Sequence, residues 1–225
     1  MTRILIASNN RGKLVEIQAL LALASGLSGV ELILPHHLGL VIEVVEDGQT
    51  YAQNAALKAQ AFYRAVQELP VELSGWLIIM ADDSGLEVNA LGGKPGLHSA
   101  RYSPQPGATD AERRAFLLQN LASHPRPWLA HFHCTVALVS PEGELAYAEG
   151  DCPGEIWPVE RGDNGFGYDP IFMIPELGRT MAELTLAEKN ELSHRARAVK
   201  AALPVIERWV SSPGDRAAKS ESVQT

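Results

Sequence analysis

Asp82-Asp83-Ser84-Gly85 closes the apolar run from Trp76 to Ala81. Two adjacent carboxylates at the carboxyl end of a buried-type strand stand where open α/β sheets gather their ligands. Successive strand residues point to opposite faces, so one carboxylate is expected in a cleft while the other supports the loop. Oxygen ligands are what Mg²⁺ takes, commonly one or two carboxylates together with a substrate's phosphates. The same residues also suit a turn closed by an Asx hydrogen bond. Glu46 stands in a polar loop (Glu46 to Gly48) and reads on its own as a solvated acid.

Three other segments carry possible chemistry. Ser8-Asn9-Asn10-Arg11-Gly12-Lys13 follows a short apolar strand (Arg3 to Ser8) and leads into a helix. Such a turn presents free backbone N–H groups to an anion, and Lys13 adds a charge. It lacks the second glycine and the Ser or Thr of a Walker A loop, and a solvated turn between strand and helix is the other reading. Gly165-Phe166-Gly167-Tyr168-Asp169-Pro170 sets rings between glycines, where an exposed ring can stack on a purine and Asp169 can accept from ring N–H groups. A tight turn with a buried aromatic plug is the other reading. Lys189, His194 and Arg195 lie near the starts of the C-terminal helices. If Ser193 caps the last helix, His194 and Arg195 oppose its dipole unless an electronegative group answers them. His131, His133, Cys134 and Cys152 lack zinc-ligand spacing and read as alternation along strands. Ser84 has no nucleophile elbow around it.

The elements that must position these groups follow from periodicity. Expected strands are Arg3 to Ser8, Glu31 to Leu34, Trp76 to Ala81, His131 to Val139 and Leu145 to Gly150; Gly85 to Tyr102 reads as loops and short hairpins. Helices are expected from Lys13, after capping boxes at Thr50–Gln53, Thr109–Glu112 and Thr185–Glu188, and in a final amphipathic stretch that Pro204 kinks. Strands interleaved with helices argue for a layered α/β fold. Residues 1–210 read as a single domain and 211–225 as a flexible tail. A net charge of −8 disfavours nucleic acid as a partner. No apolar stretch approaches a membrane span, and two cysteines among 225 residues point to a reducing cytoplasm.

In order, S-N-N-x-x-K, E-x-G-x-T-Y-x-x-N-A, A-D-D-S-G-L-x-V-x-x-L-G-G-x-P-G-x-x-S-A-R-Y, G-F-G-Y-D-P-I-F and E-K-x-x-x-S-H-R run from Arg3 to the final helix. Together they resemble the inosine triphosphate (dITP/XTP) pyrophosphatases. The resemblance implies a mixed central β-sheet flanked by helices, with two lobes around an active-site cleft (the ITPase/Maf-like arrangement). It implies a cytoplasmic homodimer that uses Mg²⁺ to hydrolyse dITP, ITP and XTP to monophosphate and pyrophosphate. By position, Ser8, Asn9, Asn10, Arg11, Gly12 and Lys13 would contact the triphosphate, and Glu46 and Asp83 would hold the metal. Asp83 would accept the proton, and Lys13 would neutralise charge as pyrophosphate leaves. Ser84 would touch substrate. Phe166, Gly167, Tyr168 and Asp169 would line the base pocket, with Lys189, His194 and Arg195 closing it. Gln53 departs from the glutamate the family often carries. A nucleotide sensor without turnover, or a pyrophosphatase for other bases such as modified pyrimidines, are the competing readings.

Overall fold

Alternation along a few apolar strands decides how the chain layers. In the computed structural model, which describes residues 2–70 and 77–211, β1 (Arg3–Ile6) lies parallel between β2 (Glu31–Ile33) and β3 (Leu77–Val88). β4 (Trp128–Val139), β5 (Leu145–Ile156), β6 (Phe172–Ile174) and β7 (Arg179–Thr180) add in antiparallel succession. Among the described residues this makes one mixed seven-stranded sheet, ordered β2-β1-β3-β4-β5-β6-β7. The expected α/β architecture is thus the observed one.

Strand lengths differ from the sequence reading. β3 does not stop at Ala81 but runs on to Val88, so Asp82 and Asp83 are mid-strand, opposite Val136 and Thr135 of β4. The ladder to β4 overrides their poor strand propensity. They still sit at a carboxyl end, that of β1, whose last residue Ile6 pairs with Met80. β5 likewise continues past Gly150 to Ile156 and β4 begins at Trp128. Trp76 and residues 212–225 lie outside the described residues, and with them the expected start of the strand and nearly all of the expected tail; Ser211 is the last helical residue.

Helix starts obey capping chemistry. α1 (Arg11–Ala22) opens two residues before Lys13, because Asn10 Oδ1 accepts from Lys13 N–H at 3.1 Å. α2 (Tyr51–Gln67) has half a capping box: Thr50 accepts from Gln53 N–H, but the Gln53 side chain accepts from Gln49 N–H instead of closing on Thr50. α3 (Asp110–Leu121) and α4 (Leu186–Leu192) carry complete boxes. α5 (His194–Ser211) is capped by Ser193, whose Oγ accepts from Ala196 N–H, and runs unbroken through Pro204.

The sheet buries its two faces differently. Ile4, Ile78, Met80 and Val136 face α1 and α5, while Leu5, Ile79, Ala81 and Ala137 face α2. Farther along, Leu86, Val88, Phe132 and Ile156 pack on α3 and the segment 168–184. The first half therefore has helices on both faces, and the second half is covered on one. Gly150 is where α5 crosses β5: an added Cβ would collide with the backbone of His194 and Ala198. We expect Gly150→Val to cost ~1–3 kcal/mol by overpacking, read as a lowered urea midpoint with an unchanged slope.

Candidate active site

A cavity of about 680 Å³ opens beyond the end of β1. Ser8, Asn9, Asn10 and Lys13 line it from the turn into α1, Glu46 from the loop before α2, and Asp83 and Ser84 from β3. Phe166, Gly167, Tyr168 and Asp169, with Lys189, His194 and Arg195, line the far side. Fourteen of the sixteen sequence-selected residues thus line one cavity. Arg11 and Gly12 do not line it; they supply the opening backbone of α1. Gly12 has another use, since a Cβ there would run into the Phe166 ring.

Strand alternation separates the two aspartates as expected. Asp82 turns toward α1 and α5, where its Oδ2 meets Lys13 Nζ at 3.1 Å and Arg195 Nε at 3.2 Å. Arg195 pairs with Glu16, Glu16 Oε1 meets Lys189 Nζ at 2.7 Å, and Lys189 pairs with Asp169. The result is an alternating line of six charges, Lys13–Asp82–Arg195–Glu16–Lys189–Asp169, running from the first turn of α1 to the ring-bearing loop. Burial alone would neutralise these groups. The cationic neighbours outweigh it and hold Asp82 and Glu16 below the usual carboxylate range. Asp169 and Glu16 likewise outweigh burial and hold Lys189 above the ordinary lysine value. Arg195 in the first turn of α5 and Lys189 in α4 are therefore answered by protein carboxylates, not left waiting for a base or phosphate. Ser84 also serves this line, its Oγ accepting from Arg195 Nη2 at 3.0 Å.

Asp83 turns the other way, toward α2. Lys58 Nζ stands 3.4 Å from Asp83 Oδ1 and 3.3 Å from Glu46 Oε2, and Asn54 Nδ2 donates to Asp83 Oδ2 at 3.2 Å. Burial, with Glu46 nearby, pushes the Asp83 carboxyl up despite Lys58 and Lys13. Two carboxylates converge on the Lys58 ammonium, and with one lysine against two acids they leave a net negative cluster of hard oxygen donors. Those donors fit Mg²⁺. Among the described residues no group of three or more His, Cys, Asp or Glu is arranged to hold a metal, so phosphate oxygens and water would complete the shell.

The aromatic loop is tied to itself more than the sequence suggested. Asp169 Oδ2 accepts from Phe166 N–H at 2.9 Å and pairs with Lys189, so that oxygen is committed within the protein. Tyr168 is the buried plug: only 4% exposed, it donates from its OH to the Ser99 carbonyl at 2.9 Å. Phe166 is half-buried, with Lys189 Nζ 5.1 Å and Arg195 Cζ 5.6 Å from its centroid. His194 is buried and stacks on Phe132 at 4.7 Å. His133 bonds Asp151 and Thr135, while Cys134 faces Asp82 across the sheet, as alternation requires.

Glu16, Asn54 and Lys58 escaped the sequence reading. Asn54 and Lys58 lie four apart on α2, beside its stripe of Ala55, Ala59 and Phe62, so they share a face that reaches β3. Glu16 lies three residues after Lys13 and next to buried Ile17. A carboxylate on a helix's apolar face was a readable signal of a buried ion pair.

Residues 4–205 match the sequence profile of the Ham1 family. The chain is 46% identical to a dITP/XTP pyrophosphatase of Nostoc sp. over 218 residues, covering 96% of this chain and all of that one. It is 45% identical to a dITP/XTP pyrophosphatase of Geobacter sulfurreducens, covering 88% and 94% of the two chains. A HAM1 protein structure from Coxiella burnetii superposes with a TM-score of 0.76 at 37% identity, covering 92% of this chain and all of that one. The chain belongs to the Ham1 family.

Burial, then Arg195 and Lys189, hold His194 well below the ordinary histidine value, so it is neutral in the fold. The unfolded chain takes up that proton below about pH 6.5, so the native state loses relative stability as pH falls. The advantage of wild type over His194→Asn should shrink by up to ~1.4 kcal/mol per pH unit below about pH 6. Urea unfolding of both proteins across that range measures it.

Proposed function

Starting from Ham1 family membership, we propose that this chain hydrolyses deaminated purine nucleoside triphosphates (dITP, ITP and XTP) to the monophosphate and pyrophosphate. The observation that carries this reading is the arrangement of three unlike features in one cavity. A helix amino terminus with Lys13 suits a polyphosphate, two carboxylates that meet on Lys58 supply hard oxygen donors, and a glycine-flanked ring suits a purine.

Glu46 and Asp83 are the proposed Mg²⁺ ligands. A bound Mg²⁺ would supply charge neutralisation at the phosphate oxygens. Asp83 orients a water and takes its proton as the oxygen attacks the α-phosphorus; the bond to the bridging oxygen breaks and pyrophosphate leaves. A carboxyl raised by burial is the better proton acceptor near neutral pH. Lys58 opposes the effect of burial on Asp83 and aims its carboxylate, and the α1 terminus with Lys13 steadies the leaving group.

Preference for keto bases follows from hydrogen-bond arithmetic. A donor opposite the 6-position pairs with inosine or xanthosine and is left unpaired by the adenine amine, a loss of ~1–3 kcal/mol. The family resemblance also brings a homodimer and a cytoplasmic location into the proposal. Both cysteines are free and buried, and no helix among the described residues is long and apolar enough to cross a membrane.

The test is pyrophosphate release from dITP, XTP, dGTP, ATP and dUTP in parallel, with Mg²⁺ and with EDTA. We expect fast turnover of dITP and XTP alone, abolished by EDTA. Binding without turnover would instead make the chain a nucleotide sensor, and preference for dUTP would overturn the purine assignment.

A further inference from the structure

The aromatic loop is gripped by α3, whose Asp110 and Arg113 line the cavity while Arg114 stands behind the loop. Gly167 N–H donates to Asp110 Oδ2 at 2.8 Å, and Arg114 Nη1 donates to the Gly167 carbonyl at 2.8 Å. Both polar groups of Gly167 are therefore held by the first turns of α3. Arg114 is itself fixed, its Nε and Nη2 reaching the two oxygens of Glu160 at 2.9 and 2.8 Å. Asp110 sits at the amino terminus of α3, where a carboxylate is favoured, and it also pairs with Arg113. Gly167 takes φ +62°, a left-handed conformation that a side chain would strain. Holding such a turn from both sides is how a flexible glycine is given one geometry.

What this contact positions is specific. It touches the loop's backbone one residue from Phe166, and α3 has no part in the Lys13, Asp83 or Lys58 contacts at the phosphate end. On the reading of the cavity as a purine nucleotide site, we infer that Arg114, with Asp110, is a positioning residue that sets base affinity by fixing the Phe166–Gly167–Tyr168 loop. Arg114 itself does not line the cavity. Without it the loop must be ordered when the base arrives, and that ordering cost falls on binding.

The test measures kcat and KM for dITP, and inhibition by dIMP and by pyrophosphate, in wild type, Arg114→Ala and Arg114→Lys. For Arg114→Ala we expect KM for dITP and the dIMP inhibition constant to rise about tenfold, the loss of roughly one such bond. kcat and pyrophosphate inhibition should stay within about twofold, because Arg114 makes none of the Lys13, Asp83 or Lys58 contacts and Lys189 still holds Asp169. Arg114→Lys keeps the charge but cannot serve Gly167 and Glu160 together, so it should fall between. Glu160→Ala, at an exposed partner, should shift the dIMP constant in the same direction and covers the case in which Arg114→Ala does not fold. An unchanged dIMP constant, or equal losses for dIMP and pyrophosphate, overturns the inference while leaving the proposed function intact. A wild-type protein that neither turns over dITP nor is inhibited by dIMP overturns both.

Discussion

The line of six alternating charges from Lys13 to Asp169 is the constraint on which the rest of the site depends. Each ion taken from water costs several kcal/mol, and only a complete set of opposite partners and hydrogen bonds recovers it. Three carboxylates and three cations balance, so the line is tolerable only when all are in place. Its members come from α1, β3, α4, α5 and the aromatic loop, and meeting their partners fixes how those elements sit. Such a network is weak evidence for stability and better evidence for a unique geometry. In an active site that geometry is what preorganisation requires.

The period of a β-strand supplies the second constraint. Because Asp82 and Asp83 point to opposite faces, one carboxylate can be spent on the buried line while its neighbour keeps a separate partner set in Lys58, Glu46 and Asn54. The two then respond differently to similar burial. Lys13 and Arg195 hold Asp82 ionised, whereas Asp83 is pushed up and left able to take a proton. One dipeptide thus serves both the buried line and the cavity wall.

The chemistry-bearing residues were largely readable because their types are unusual in context: paired acids ending an apolar run, rings between glycines, cations at a helix start. The opposed faces of Asp82 and Asp83 followed from strand periodicity alone. What sequence could not provide was partnership. Glu16, Asn54 and Lys58 look like ordinary polar helix residues until the sheet brings α1 and α2 against β3. Asp169 looked available to a base because nothing local shows that Lys189 and the Phe166 amide claim its oxygen. The end of β3 was misread for the same reason. Polar residues such as Asp82 and Ser84 weaken a strand signal, and the ladder to β4 that sustains them involves residues some fifty positions away.

The most direct measurement compares Asp82→Asn with Asp83→Asn for melting temperature and for dITP turnover. The account predicts that Asp82→Asn loses ~3–5 kcal/mol of stability, because it strips the charge that links Lys13 to Arg195 in a buried line. Asp83→Asn should melt close to wild type yet lose a factor of ~10²–10⁴ in turnover. Near-native turnover in Asp83→Asn, or an undiminished melting temperature in Asp82→Asn, would contradict the division of labour between the two faces of β3.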